Sequence, residues 1–241
     1  MNETVNSVIQ EISELDDMYQ GNSDHYFHVG QSALDCIRSA MHLAGKDNLH
    51  IKKILDFPCG YGRVLRVMKA TFPDSEFTAC DLERDGVDFC NKIFGATPVY
   101  SDKNIEDVKF QDTYDLIWVG SLFTHLAKDQ WPRFIKFFKQ QLNSGGILIF
   151  TTQGRYSASL LRSGESAYGL ETEDKIKSLL DNYDNEGFGY SSYFHSDDYG
   201  ISLSSPSYVI KLLEQEDDLR LLMCLEQGWD SHQDVIACIK D

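Results

Sequence analysis

Two acids and two glycines carry the most legible chemistry in this chain. In the stretch ILDFPCGYGRVLR, Asp56 closes a short apolar run, and Gly60 and Gly62 follow before a basic, apolar run with helical spacing. A second acid, Asp81, closes the apolar stretch FTACD, 19 residues after Gly62. A glycine turn between a strand and a helix lets a ligand approach bare backbone, and the helix start offers N–H groups and a positive dipole end. A carboxylate at the end of the neighbouring strand lies in the same crevice and can accept hydrogen bonds from both hydroxyls of a ribose. A Walker phosphate loop needs Lys and then Ser or Thr after its last glycine, and here Arg63 and Val64 follow Gly62. A dinucleotide fingerprint needs a third glycine at position 65, where Leu65 stands. A pyrophosphate is therefore the weaker reading, and a cofactor without one is favoured.

These residues need a scaffold that brings strand ends together. Val5, Val8, Ile9, Ile12, Leu15 and Met18 recur at three- and four-residue steps, which predicts an amphipathic helix. QGNSDH reads as a break, and Val29, Ala33, Ile37, Ala40, Met41 and Ala44 predict a second helix closed by Gly45. From KKILDF onward the pattern alternates. Strands are expected at KKILDF, EFTACD, TPVYS, YDLIWVG and ILIFTT, with helices at RVLRVMKATF, DGVDFCNKIF and KDQWPRFIKFFKQQL between them. Such alternation implies right-handed crossovers and a mainly parallel sheet. Residues 154–206 break the rhythm, and seven of the 12 tyrosines fall between Tyr156 and Tyr208, so this segment reads as an insertion, with a helix at KIKSLLDNY and a strand at GFGYSSYFH. SPSYVIKLLEQ starts a helix on Ser-Pro, and LRLLMCLEQ and DVIACIK read as two strands of an antiparallel hairpin.

In this order the motifs resemble those of the class I S-adenosylmethionine-dependent methyltransferases. Asp56, Phe57, Pro58, Cys59, Gly60, Tyr61 and Gly62 stand where that family has an acid followed by G-x-G-x-G, with Pro58 in place of the first glycine. Asp81-Leu82 matches the ribose-and-adenine corner, and Ser101-Asp102 matches the loop that meets the adenine amino group. YDLIWVGSLFTHL, which includes Gly120 and Ser121, matches the fourth strand and its loop, and LNSGGILIFTT matches the turn into the fifth. The resemblance implies a doubly wound α/β sheet of seven strands, mostly parallel with an antiparallel last strand. It also implies S-adenosyl-L-methionine as cofactor, S-adenosyl-L-homocysteine as product, and methyl transfer to an oxygen, nitrogen or carbon of a small-molecule acceptor. The whole chain, 1–241, is expected to form one such domain, with an N-terminal helical segment over 1–46 and a cap over 154–206. The rivals are a nicotinamide-dependent oxidoreductase on a similar sheet and a cofactor-binding protein without catalysis.

For the chemistry itself, His125 follows the fourth strand closely, and a neutral imidazole there could take a proton from the acceptor. Packing against the next helix is the plainer reading. His195 in the tyrosine-rich segment is a second candidate, and His232 is expected to order the hairpin before the last strand. Gln153 and Arg155, past the fifth strand, and Tyr193 are candidate acceptor contacts; Tyr190, Tyr193 and Tyr199 could form a lid. Tyr19, Tyr26 and His28 could close over the cofactor from the other side, or serve packing or a dimer arm. Asp102 could equally be a turn former, and Cys59 a passive wall of the site.

Composition narrows the partners. The net charge of −16 and the scattering of 22 Lys and Arg argue against nucleic acid as substrate. No apolar run approaches the roughly 20 residues of a membrane span, and MNETVNSVIQ lacks the features of a secretory signal. The six cysteines form no CxxC pair, and no His pair has zinc-ligand spacing, so no metal is expected and the thiols read as reduced and cytoplasmic.

Overall fold

In the computed structural model, residues 7–194 and 199–241 are described. A long helix α1 (Ser23–Leu43) leads into β1 (Lys53–Asp56), α2 (Leu65–Thr71), β2 (Glu76–Asp81), α3 (Arg84–Phe94) and β3 (Thr97–Tyr100). Next come β4 (Tyr114–Val119), α4 (Gln130–Gln141) and β5 (Leu142–Thr152). The remainder is α5 (Arg155–Ser163), α6 (Glu173–Glu186), β6 (Phe188–Ser192), β7 (Gly200–Ser204), α7 (Pro206–Leu213), β8 (Leu219–Trp229) and β9 (Gln233–Lys240).

Seven strands form one sheet in the order β3-β2-β1-β4-β5-β9-β8. Strands β1 to β5 pair in parallel, and β9 runs antiparallel to both β5 and β8. The strand order reverses between β1 and β4, which opens a crevice at their carboxyl ends. Alternating side chains cover both faces. Ile54, Leu116, Trp118, Ile149 and Ala237 pack with α1, α2 and α3. Leu55, Ile117, Val119, Phe150 and Cys238 pack with α4 and α7. Because β9 enters antiparallel, its first residues lie at the same mouth as the ends of β1, β4 and β5.

Local chemistry explains the helix starts. Asn22 caps α1 by accepting the His25 N–H at 3.1 Å, so this helix begins six residues before Val29, inside the expected break. Ser205 caps α7 in the same way, with Pro206 in the first turn.

The first expected helix is absent: residues 7–22 run as turns and extended chain, and Val5 lies outside the described residues. The reason is non-local. The guanidinium of buried Arg66 takes the carbonyls of Ile9 and Glu11, each at 3.0 Å, which a helix would have used internally. Leu15 and Met18, meant for an apolar stripe, are 64% and 52% exposed.

The insertion has a small core of its own, with Ala158, Leu161, Leu179, Tyr183, Ile201 and Leu203 between α5, α6 and the β6–β7 pair. Helix α5 and strand β7 were not expected. Each is short, and flanking Ser and Gly made both read as loop. Where the insertion meets the sheet, Asp234 is only 3% exposed. Burial raises its carboxyl from 3.8 to about 6. Between those values the folded chain holds a proton that the unfolded chain has released, so stability falls as pH rises through this window. Asp234→Asn is expected to abolish that slope and raise the unfolding midpoint at pH 8 but not below pH 4; the gap is worth about 3 kcal/mol. Thermal melts of both proteins across pH check it, and parallel pH curves would refute it.

Candidate functional site

Asp56 ends β1 at 1% exposure, and its Oδ2 has no hydrogen-bond partner among the described residues. Burial and the neighbouring Asp81 charge push its carboxyl well above the usual range. After it, Phe57 N–H donates to the Trp118 carbonyl and Cys59 N–H to the Cys80 carbonyl, each at 3.0 Å. These bonds fix the start of the glycine turn between β4 and β2. Gly60 and Gly62 then take φ of +48° and +75°, the left-handed region that favours glycine.

The two glycines do different work. A Cβ on Gly62 would lie 2.5 Å from Phe94 Cε2, so Gly62 lets α3 pack under the turn. A Cβ on Gly60 would meet nothing within 4 Å, so its backbone faces open space. Asp81 reaches across from β2. Its Oδ2 accepts the Gly60 N–H at 2.7 Å and its Oδ1 the Glu83 N–H at 3.0 Å. Burial raises the Asp81 carboxyl, and these backbone donors oppose the rise. Leu82 is 58% exposed beside it, and Ser101 N–H donates to the Asp81 carbonyl at 2.8 Å. Asp102 is engaged by its own loop, its Oδ1 accepting the Asn104 N–H at 2.9 Å. A hydrogen bond with Cys90 and burial raise the Cys59 thiol, which keeps it protonated as an inert wall.

Past β4, Gly120 is crowded: a Cβ there would be 2.7 Å from Trp118 Nε1. Ser121 has φ +57° and is held by a closed ring of hydrogen bonds. Its N–H donates to Thr151 Oγ1 (2.8 Å), Thr151 donates to Gln233 Oε1 (2.6 Å), and Gln233 Nε2 donates to Ser121 Oγ (2.8 Å). The ring ties the ends of β4 and β5 to the start of β9.

His125 sits in a 3-10 turn, Phe123–His125. Its Nδ1 donates to the Gly200 carbonyl at 2.7 Å, which leaves Nε2 as the acceptor of a neutral ring. Burial lowers its pKa. The ring stacks on Tyr199 with centroids 4.6 Å apart, and the Tyr193 hydroxyl lies 3.4 Å from Nδ1. The β6–β7 unit therefore rests on the loop after β4. Gln153 is buried with its Oε1 unpartnered among the described residues, whereas Arg155 is drawn to the surface by Glu226, with bonds of 2.6 and 2.5 Å. His195 lies outside the described residues.

Sequence reasoning gave no site role to Arg66, Arg63 or His232. Arg66 is 1% exposed and also donates to the Gly62 carbonyl at 3.1 Å, so it joins the N-terminal strap to the glycine turn. Its signal was a lone cation inside the apolar run Val64-Leu65-Val67-Met68. Arg63 lies with its guanidinium carbon 5.9 Å from the ring centroids of both Tyr26 and Trp229. His232, expected only to order the hairpin, has its Nε2 3.0 Å from the Tyr168 hydroxyl. Among the described residues no cluster of three or more His, Cys, Asp or Glu could hold a metal, and no helix is long and apolar enough to cross a membrane.

The sheet order, the acid-and-glycine turn after β1 and the acid after β2 are those of the class I S-adenosylmethionine-dependent methyltransferase fold. Residues 54–146 match the family described as "Methyltransferase domain". A malonyl-[acyl-carrier protein] O-methyltransferase of Acetivibrio thermocellus is 26% identical over 145 residues, which are 58% of this chain and 48% of that protein. A fatty-acid O-methyltransferase of Mycolicibacterium smegmatis is 29% identical over 115 residues, 45% of this chain and 39% of that protein. The chain thus spans about half or less of the length of the curated relatives it matches. Among solved structures, the plantazolicin methyltransferase BpumL in complex with a triazolic desmethylPZN analog and SAH shares the fold. Its TM-score is 0.58 at 13% identity, covering 94% of this chain and 88% of that one.

Proposed function

We propose that this chain transfers a methyl group from S-adenosyl-L-methionine to a small-molecule acceptor, with oxygen as the favoured accepting atom. One observation carries the reading: the open backbone face of Gly60, bridged at 2.7 Å to the Asp81 carboxylate, at the crevice where the strand order reverses between β1 and β4. The residues fit an adenosyl donor. Asp81 would hold the ribose, Leu82 and the Ser101–Asp102 loop would wall the adenine, and the turn from Asp56 through Phe57, Pro58 and Cys59 to Gly62 would meet the methionine end. Gly120 and Ser121 would border the reacting sulfur. When bound, the donor supplies an electrophilic methyl on a positively charged sulfur. The chain's own work is alignment and exclusion of water. The tyrosines of the insertion and His125 would wall the acceptor side, with Gln153 and Tyr193 as contacts; Arg155, paired with Glu226, is the weakest of these. The O-methyltransferase names of the relatives support oxygen. The six free cysteines support a reducing, cytoplasmic setting.

Calorimetric titration with S-adenosyl-L-homocysteine tests the donor, and absence of binding at millimolar concentration sinks the reading. Labelled methyl donor incubated with organic acids and alcohols tests the transfer. For an acceptor that must lose a proton, His125 Nε2 is the receiving atom. His125→Gln is then expected to lower kcat by about 100-fold with product-cofactor affinity unchanged. A wild-type rate would remove His125 from the chemistry.

A further inference from the structure

We propose that Arg63 anchors a carboxylate of the acceptor in a small cavity at the mouth of the sheet, so that the substrates are organic acids. The inference rests on the methyltransferase reading above and adds the acceptor's class.

The cavity measures about 110 Å³, and its wall includes Arg63, Asp230, Ser121, Trp229, His232 and Gln233. That is room for roughly three water-sized groups, enough for a carboxylate and its nearest carbons. Ser121 and Gln233 belong to the hydrogen-bonded ring that ends β4 and opens β9, so the cavity borders the crevice assigned to the donor. Its floor is prepared: the Tyr168 hydroxyl meets His232 Nε2 at 3.0 Å, and the Tyr156 ring packs edge-on against the same imidazole.

The charge pattern selects an anion. Arg63 and Arg66 are one turn apart and differ in a telling way. Arg66 spends its donors on the carbonyls of Ile9, Glu11 and Gly62. Arg63 makes no hydrogen bond and no ion pair among the described residues, although the chain has 38 acids against 22 bases. Its guanidinium carbon lies 5.9 Å from the ring centroids of Tyr26 and Trp229, and burial lowers its pKa. The nearby carboxylates, Asp230 of the cavity wall included, have other partners. Asp16 Oδ2 accepts the Tyr26 hydroxyl at 2.5 Å, and Asp230 faces His25 Nε2 at 3.1 Å and His28 Nε2 at 3.8 Å. A planar, five-donor cation beside two rings, with no hydrogen-bonded acceptor among the described residues, is suited to a bidentate carboxylate.

The test uses malonate as a small diacid and malonamide as its neutral counterpart, titrated by calorimetry into the full chain with and without saturating S-adenosyl-L-homocysteine. Malonate is expected to bind in the millimolar range and malonamide not to bind. Arg63→Met is expected to weaken malonate by at least about tenfold, and Arg63→Lys to retain part of it. Product-cofactor affinity should stay within about threefold of wild type. Circular dichroism confirms that both variants are folded; if Arg63→Met is not, the malonate-to-malonamide contrast and Arg63→Lys decide. Three results would overturn the proposal: no malonate binding to wild type up to about 50 mM, equal binding of malonamide, or unchanged malonate binding to folded Arg63→Met. A fourth is a loss of product-cofactor affinity in Arg63→Met with 5′-methylthioadenosine unaffected, which would give Arg63 to the donor's own carboxylate. Failure of the wild type to bind product cofactor sinks the functional reading instead, and malonate binding to the free chain still reports on Arg63.

Discussion

Asp81→Ala is expected to weaken S-adenosyl-L-homocysteine binding by about 10- to 100-fold, equivalent to about 1–3 kcal/mol of lost charge-assisted hydrogen bonding. Asp81 has two tasks in the site. It is the carboxylate available to a ribose, and it bridges the Gly60 and Glu83 N–H groups at 2.7 and 3.0 Å. Asp81→Asn separates them. Its side-chain oxygen can still accept one backbone bond, so the turn stays in place while the charge is gone. If the ribose assignment is right, the asparagine variant loses most of the affinity that the alanine variant loses, at little cost in thermal stability. Calorimetry against product cofactor, with melting curves on the same samples, reads both quantities. Wild-type affinity in a folded Asp81→Ala protein would refute the ribose role.

Gly86→Ala carries the second large effect, with a sign opposite to intuition. Gly86 lies inside α3, where alanine ordinarily stabilises a helix by about 1 kcal/mol over glycine. Here the added Cβ would fall 2.5 Å from the Gly60 carbonyl oxygen and 2.9 Å from its carbon. Both neighbours are backbone, so the helix or the glycine turn must shift. Overpacking of this kind costs about 1–3 kcal/mol, which outweighs the helix propensity. The variant is expected to melt earlier than wild type and to bind product cofactor at least about tenfold more weakly, because the displaced atoms belong to the cradle. Improved stability with unchanged binding would show that the turn yields freely and that its position matters little.

Much of the sheet was readable because its signals are local. Strands β1 to β5 are short apolar runs between helices with clear spacing, and the acids that end β1 and β2 mark the crevice directly. What escaped depends on contacts between distant residues. Val8 to Met18 carries a helical pattern, yet Arg66, more than 50 positions away, takes the carbonyls of Ile9 and Glu11 and unwinds it. Gln233 and His232 reach the mouth because β9 enters the sheet reversed, which no spacing within the hairpin reveals. Asp102 and Arg155 were named for the places where their backbones fall, while their side chains turn to Asn104 and Glu226. Arg63 drew notice only as a residue that rules out a phosphate loop, and its isolation becomes visible once Tyr26 and Trp229 close around it.

The Arg66 contacts bear on where this protein can be cut. Family comparison recognises residues 54–146, but the guanidinium at position 66 is quenched by oxygens from Ile9, Glu11 and Tyr26, all outside that window. The strand that covers β5, namely β9, lies outside it at the other end. An excised recognition segment would carry a stranded interior cation and a bare sheet margin, so minimal fragments for crystallography or library display should retain both flanks.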